Sequence, residues 1–138
     1  MIKYVFISLP MSGKVYDEIG NRLKEINHQV KEACSKKYGW RIDDIRTIDN
    51  FWDCDHPDDY YLDAVRHGNN SLYFLGQAIQ KLALADAVYF DKDWQNAKGC
   101  NVERYVCLKY QIPIIDWNEW LGGPGEAEEK AKKEVLGE

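Results

Sequence analysis

The segment DWQNAKGCNVERYVCLKYQIPII, residues 93–115, holds one glutamate, Glu103, four positions after Gly99. Two readings of that acid stand side by side. A carboxylate near a helix start is stabilised by the helix dipole by about 0.3–1 kcal/mol, which is reason enough to find one there. The same group, kept ionised by that dipole and delivered to a crevice, is a nucleophile suited to an electrophilic sugar carbon. Asp91 and Asp93 precede it in the same loop. Either could protonate a leaving group if burial beside another carboxylate raised its pKa, and either could equally be a solvated loop acid.

A second loop carries the complementary chemistry. In SLPMSGK, residues 8–14, the polar pair Ser8 and Ser12 surrounds Met11 and is followed by Gly13 and Lys14 ahead of a helix. Exposed amides at a helix start bind anions, and serine hydroxyls add donors. The plainer alternative is an ordinary strand-to-helix turn, since one glycine is neither a Walker loop nor a dinucleotide fingerprint. Lys98 and Arg104 flank Gly99 and Glu103, where they could meet a phosphate or pair with nearby acids. Trp94, Trp52, Tyr60 and Tyr61 offer faces for stacking on a flat base or for roofing the core. Cys54 and His56, in DCDHPDD, lack the second pair that a zinc site needs, so no metal is expected. The four cysteines read as free thiols of a reducing compartment. His28, mid-helix, reads as a surface residue, and His67 has no nameable partner.

These loops need elements to hold them. IKYVFISL is a short β-branched and aromatic run ending at a turn signal, which predicts a buried first strand. Val15, Ile19, Leu23, Ile26, Val30 and Ala33 recur at helical spacing, predicting a helix to about Lys37 that Gly39 ends. DDIRTID is a weaker second strand. A short helix near 59–66 interrupts an irregular acidic and aromatic stretch. Leu72, Leu75, Ile79 and Leu82 predict a second helix, capped by Ser71 or Asn70. ADAVYF is the third strand. Asp86 precedes it and so belongs at the end away from the crevice. A third helix runs from about Cys100 to Tyr110, with Val102, Val106 and Lys109 or Tyr110 along a stripe and Glu103 in its first turn. IPIIDW is a fourth strand, GGPG a break, and 122–138 a charged helix that packs on the domain or on a partner.

The order β-α-β-α-β-α-β-α implies a parallel sheet covered by helices. The expected fold class is α/β, flavodoxin-like or Rossmann-like: a doubly wound parallel sheet of four or five strands, order 2-1-3-4, with helices on both faces. Ligands of such sheets bind beyond the carboxyl ends of the strands, at the switch between strands 1 and 3. The loops at 8–14 and 91–101 leave those ends.

Composition bounds the function. The 138 residues suit a single domain able to bury its own core. A net charge of −5 argues against a general nucleic-acid scaffold. The opening MIKYVFISLP has neither a long apolar region nor a cleavage site, and no run approaches the roughly 20 apolar residues of a membrane span. A cytoplasmic protein with no membrane partner is expected.

The stretches ISLPMSG, YFLGQAIQKLALADAVYF and KDWQNAKGCNVERYVCLKYQIPII together resemble small domains grouped with the nucleoside 2-deoxyribosyltransferases. The resemblance spans residues 2–116, weakest over 38–70, and is most specific from Leu75 to Ile115. It implies a flavodoxin-like, homo-oligomeric protein, dimer or tetramer, that cleaves or exchanges the N-glycosidic bond of a nucleoside or nucleotide. It assigns Glu103, in GCNVE, as the nucleophile. It places a 5′-phosphate on Ser8 to Gly13 of the first loop, Met11 and Ser12 included, and on Ala97, Lys98 and Gly99 of the second, beside which Trp94 and Asn101 are further candidate substrate contacts. It calls for no metal, no organic cofactor and no nucleic-acid polymer. The family's aspartate in the helix before the third strand has no counterpart in GQAIQ, and the one six residues before the nucleophile is here Ala97, leaving Asp93 as the nearest replacement. Two other classes stay open: a nucleotide-binding module without catalysis, and an accessory protein associating through Trp117, Trp120 and Leu121.

Overall fold

The structure is a computed structural model that describes residues 1–11, 14, 16–50 and 66–119. Ser12, Gly13, Trp52, Cys54, His56, Tyr60, Tyr61, Trp120, Leu121, nearly all of the helix expected at 59–66 and the charged helix at 122–138 lie outside the described residues.

Four strands form one parallel sheet in the order β2-β1-β3-β4. They are β1 (Lys3–Ser8), β2 (Ile45–Ile48), β3 (Ala87–Phe90) and β4 (Ile114–Asp116). Three helices lie between them among the described residues: α1 (Tyr16–Tyr38), α2 (Asn70–Leu82) and α3 (Lys98–Tyr110). This is the doubly wound α/β architecture and strand order that the alternating sequence pattern predicts. β1 sits inside the sheet, paired to β2 from Lys3↔Ile45 and to β3 from Val5↔Ala87.

Strand residues alternate between the two faces, and the core divides accordingly. Val5, Ile7, Leu9 and Tyr89 pack with Ile19, Ile26, Val30 and Ala33 of α1. Phe6, Val88 and Phe90 pack with Ala78 and Leu82 of α2 and with Cys100 and Cys107 of α3. The alternation holds through Ser8, the last residue of β1, and continues one residue past β3. Ser8 shares the parity of Phe6 and projects toward α3, whereas Asp91 shares that of Tyr89 and projects toward α1.

Local rules account for the joints. Gly39 closes α1 with φ +73° and its N–H donates to the Ser35 carbonyl at 2.8 Å. A side chain there would meet no neighbour but would be forced into left-handed backbone. Gly39→Ala is therefore expected to cost about 1 kcal/mol of stability; an unchanged urea midpoint would remove the argument. Asp86, just before β3, exchanges bonds with β1: Tyr4 N–H donates to its Oδ2 at 2.8 Å and its own N–H donates to Tyr4 O at 2.7 Å. It is a strand-edge acid at the end remote from the crevice.

Three local expectations are corrected. α2 has Asn69 at its cap position with no side-chain cap bond, not Asn70 or Ser71. α3 starts at Lys98, so Glu103 stands in its second turn, not its first. The buried stripe of α3 is Cys100, Glu103 and Cys107, while Val102, Tyr105 and Tyr110 are exposed. Spacings of three and four make that stripe helical. A glutamate and two thiols simply do not register as an apolar pattern.

Candidate functional site

Glu103 is brought to the carboxyl end of the sheet and is 7% exposed. Its position on the inner stripe of α3 points it at the face that also receives Ser8, which is 1% exposed. Both Ser8 Oγ and Glu103 Oε2 are buried without a partner at hydrogen-bond geometry. The carboxyl makes no ion pair among the described residues. It is thus neither splayed into solvent nor neutralised.

The electrostatics differ from the sequence expectation. Burial pushes the Glu103 carboxyl from 4.5 up to about 7, and the nearby Ser8 hydroxyl draws it back only in part. The helix dipole does not hold this group ionised, because its effect of about 0.3–1 kcal/mol is confined to the first turn. A raise of this size corresponds to about 3 kcal/mol of desolvation at roughly 1.4 kcal/mol per pH unit. Around neutrality the group is shared between its two forms, which suits a residue that must gain or lose charge during a reaction. Its thiol neighbours do not compete for the proton. Burial lifts Cys100 to about 12 and Cys107 to about 11, so both stay neutral.

Asp91 is the other buried acid, 3% exposed, at the end of β3. Its N–H donates to Ser8 O at 3.0 Å, extending the β1–β3 ladder by one bond. Its carboxylate is fully engaged. Arg22 of α1 donates Nε to Oδ2 at 2.9 Å and Nη2 to Oδ1 at 2.8 Å, and the Tyr89 hydroxyl donates to Oδ1 at 3.1 Å. Burial and then Asp91 push the Tyr89 phenol far above its usual range, and Asp91 holds the Arg22 charge more firmly still. This is a structural ion pair on the face opposite Glu103, not a free acid. The pairing spans 69 residues of sequence, and no local signal announces it.

Asp93 follows in a left-handed turn, φ +68°, and is exposed. Its backbone carbonyl accepts from Asn96 N–H at 3.1 Å, while its carboxylate has no partner among the described residues. Asp93 is thus not buried beside another carboxylate among the described residues.

The remaining assigned residues separate. Met11 is partly buried against the α1 core, and its carbonyl accepts from Lys14 N–H at 3.2 Å. Trp94 opens a short 3₁₀ turn, Trp94–Asn96, with its ring already engaged. The Arg104 guanidinium lies 4.1 Å from the Trp94 centroid, and Phe90 meets that ring edge-on at 5.8 Å. Arg104 in turn grips Asp116 at 2.7 and 3.2 Å, so it joins α3 to β4 and is not held ready for a phosphate. Lys98 is exposed at the start of α3. A Cβ at Gly99 would meet Leu75 Cδ1 at 3.9 Å, an ordinary contact, so packing does not demand glycine there.

Asn101 spends its amide inside the loop, donating to Gln95 O and Ala97 O at 2.9 Å each. Asn101→Ala should therefore lower stability by about 1 kcal/mol through loss of the loop clasp. Thermal unfolding reads this; a loss of ligand affinity at unchanged stability would restore a binding role.

A cavity of about 350 Å³ opens beside the first loop, lined by Leu9, Pro10, Lys14, Ile19 and Arg22 among others. No residue of α3 lines it, so it belongs to the α1 side and is distinct from the setting of Glu103. Among the described residues no group of three or more His, Cys, Asp or Glu could hold a metal ion, and no helix is long and apolar enough to cross a membrane. His28 is exposed and reaches Glu32 at 2.9 Å, and His67 is exposed in a turn. Comparisons with family models, curated proteins and solved structures returned no match to this chain.

Proposed function

We propose that the protein cleaves or exchanges the N-glycosidic bond of a nucleoside or nucleotide, with Glu103 as the nucleophile. One observation carries the reading: a buried carboxyl at the carboxyl end of a parallel sheet, beside Ser8 at the end of β1, with no ion pair among the described residues and no hydrogen-bond partner at Oε2. In its ionised form Glu103 attacks C1′ through a transition state resembling an oxocarbenium ion. A C1′–O bond forms as the C1′–N bond breaks, and the base leaves with the bonding electrons. Positive charge developing on the sugar offsets the burial penalty of the carboxylate, so the site is better matched to the transition state than to the resting state. Water, or a second base, then attacks C1′ and frees Glu103. Asp93 is the acid assigned to the departing base, since Asp91 is committed to Arg22. No metal or organic cofactor enters these steps. A dimer or tetramer acting in the cytoplasm completes the proposal.

The test is release of free base from deoxynucleosides, ribonucleosides and their monophosphates, resolved by chromatography. Activity that survives Glu103→Ala would overturn the assignment. A second reading, a nucleotide-binding module without catalysis, is favoured by the exposure of Asp93, which leaves Glu103 with no buried acid partner on its own sheet face among the described residues. That reading expects a thermal shift with nucleoside monophosphates and no product from any of them.

A further inference from the structure

We propose that Ser8 is a positioning residue for Glu103: its hydroxyl rotates to donate to the carboxylate once that group ionises, and so aims the reactive oxygen. The inference rests on the reading of Glu103 as the reactive group, and it replaces the phosphate contact expected of Ser8.

The geometry comes from strand parity. Ser8 ends β1 on the face that packs α3, and Glu103 occupies the inner stripe of α3. Each holds a buried oxygen with no hydrogen-bond partner. A buried polar atom left unpaired costs about 1–3 kcal/mol, so two facing ones are not expected to stay unpaired in every state. A protonated carboxyl leaves the pair loosely matched. An ionised one offers an acceptor to a hydroxyl whose hydrogen is free to rotate.

The surrounding groups leave this task to Ser8. From its own helix, Cys100, whose thiol also neighbours the Ser8 hydroxyl, and Cys107 flank Glu103; both are weak hydrogen-bonding groups that stay neutral well beyond pH 7. Arg104 is tied to Asp116 and to the Trp94 ring. From β3 and its loop, Asp91 is bound by Arg22 and Tyr89. Lys14, in the first loop, is exposed. The α2 residues packed on this face, Ala78 and Leu82, carry no polar side-chain atom.

The experiment is a carbon-13 titration of the Glu103 side-chain carboxyl in the full chain, assigned by comparison with Glu103→Gln. The wild-type midpoint is expected at about 7. In Ser8→Ala it should rise by about one pH unit, the equivalent of one lost hydrogen bond to a charged group. Ser8→Cys, close in size and a weak donor, should fall between the two and guards against misfolding of the alanine variant. A Ser8→Ala midpoint equal to or below wild type overturns the proposal. Where base release is observed, Ser8→Ala should lower kcat and move the pH profile by the same amount as the titration. An effect confined to KM for phosphorylated substrates overturns the proposal in favour of a phosphate contact. The titration needs no substrate, so a protein that releases no base still answers the question about Ser8.

Discussion

Glu103→Gln will cut base release steeply and yet stabilise the fold, with a gain that builds between about pH 4.5 and pH 7 and persists above it. The sign follows from the direction of the shift. Folding raises the Glu103 pKa from 4.5 to about 7, so across that window the folded state binds the proton more tightly than the unfolded chain. Its contribution to stability is complete below the unfolded pKa and is lost as pH rises through the folded one. Fully ionised, the buried carboxylate weighs against the fold by about 3 kcal/mol. Glutamine has nearly the same shape and no charge to lose. Urea denaturation should therefore give matching stabilities for the two proteins at about pH 4, diverging to about 2–3 kcal/mol in favour of the variant at about pH 8.5. A difference independent of pH would show that Glu103 is not a strained acid. In catalysis the order reverses: base release should fall by a factor on the order of 10³. The wild-type rate should climb with pH through an apparent pKa near 7, because only the ionised carboxylate attacks. A residue that weakens the fold in the charge state that serves the reaction is the usual mark of a site built for chemistry.

Arg22→Ala should be the most damaging single truncation among the charged residues described. It leaves the Asp91 carboxylate inside the protein with only the Tyr89 hydroxyl for company. Removing one partner of a buried pair costs about 3–5 kcal/mol, chiefly because an uncompensated charge remains. Arg22 is itself one-third exposed, which allows some water to reach the gap and places the expectation at about 3 kcal/mol. The double change Arg22→Met with Asp91→Asn should recover much of the loss, since no charge is then stranded. If Arg22→Ala alone proves nearly neutral, the pair is not the clamp described. If the double variant is as unstable as the single, a stranded Asp91 charge is not the source of the deficit.

The sequence discloses the frame of this protein more readily than its electrostatics. Alternating apolar runs and amphipathic stretches specify the order of strands and helices, because burial periodicity is a local property. The helix stop at Gly39 and the placement of Asp86 away from the crevice were legible from local sequence too. Glu103 was legible through its position after the third strand, together with its confrontation with the first loop. Its charge state was not, because the dipole is a neighbour effect read from sequence while desolvation depends on what α3 packs against. Asp91 and Asp93 sit two residues apart and look equivalent in a string of letters. Strand parity sends Asp91 inward to meet Arg22, and a left-handed turn sends Asp93 outward. Asn101 and Arg104 read as candidates for ligand contact until folding supplied them with partners inside the protein.

The central place of β1 has a consequence for how the chain acquires its shape. Tyr4 and Asp86 exchange their bonds across a separation of 82 residues. Contacts of such high order require a large loop to close before they return any stabilisation. During synthesis the first strand can find β2 early, but its other edge has no partner until β3 has cleared the ribosome. Until then an apolar edge stands open to other chains. Joining of β1 to β3 is thereby a late event, and the Glu103 carboxyl is sheltered only when α3 docks onto the finished ladder.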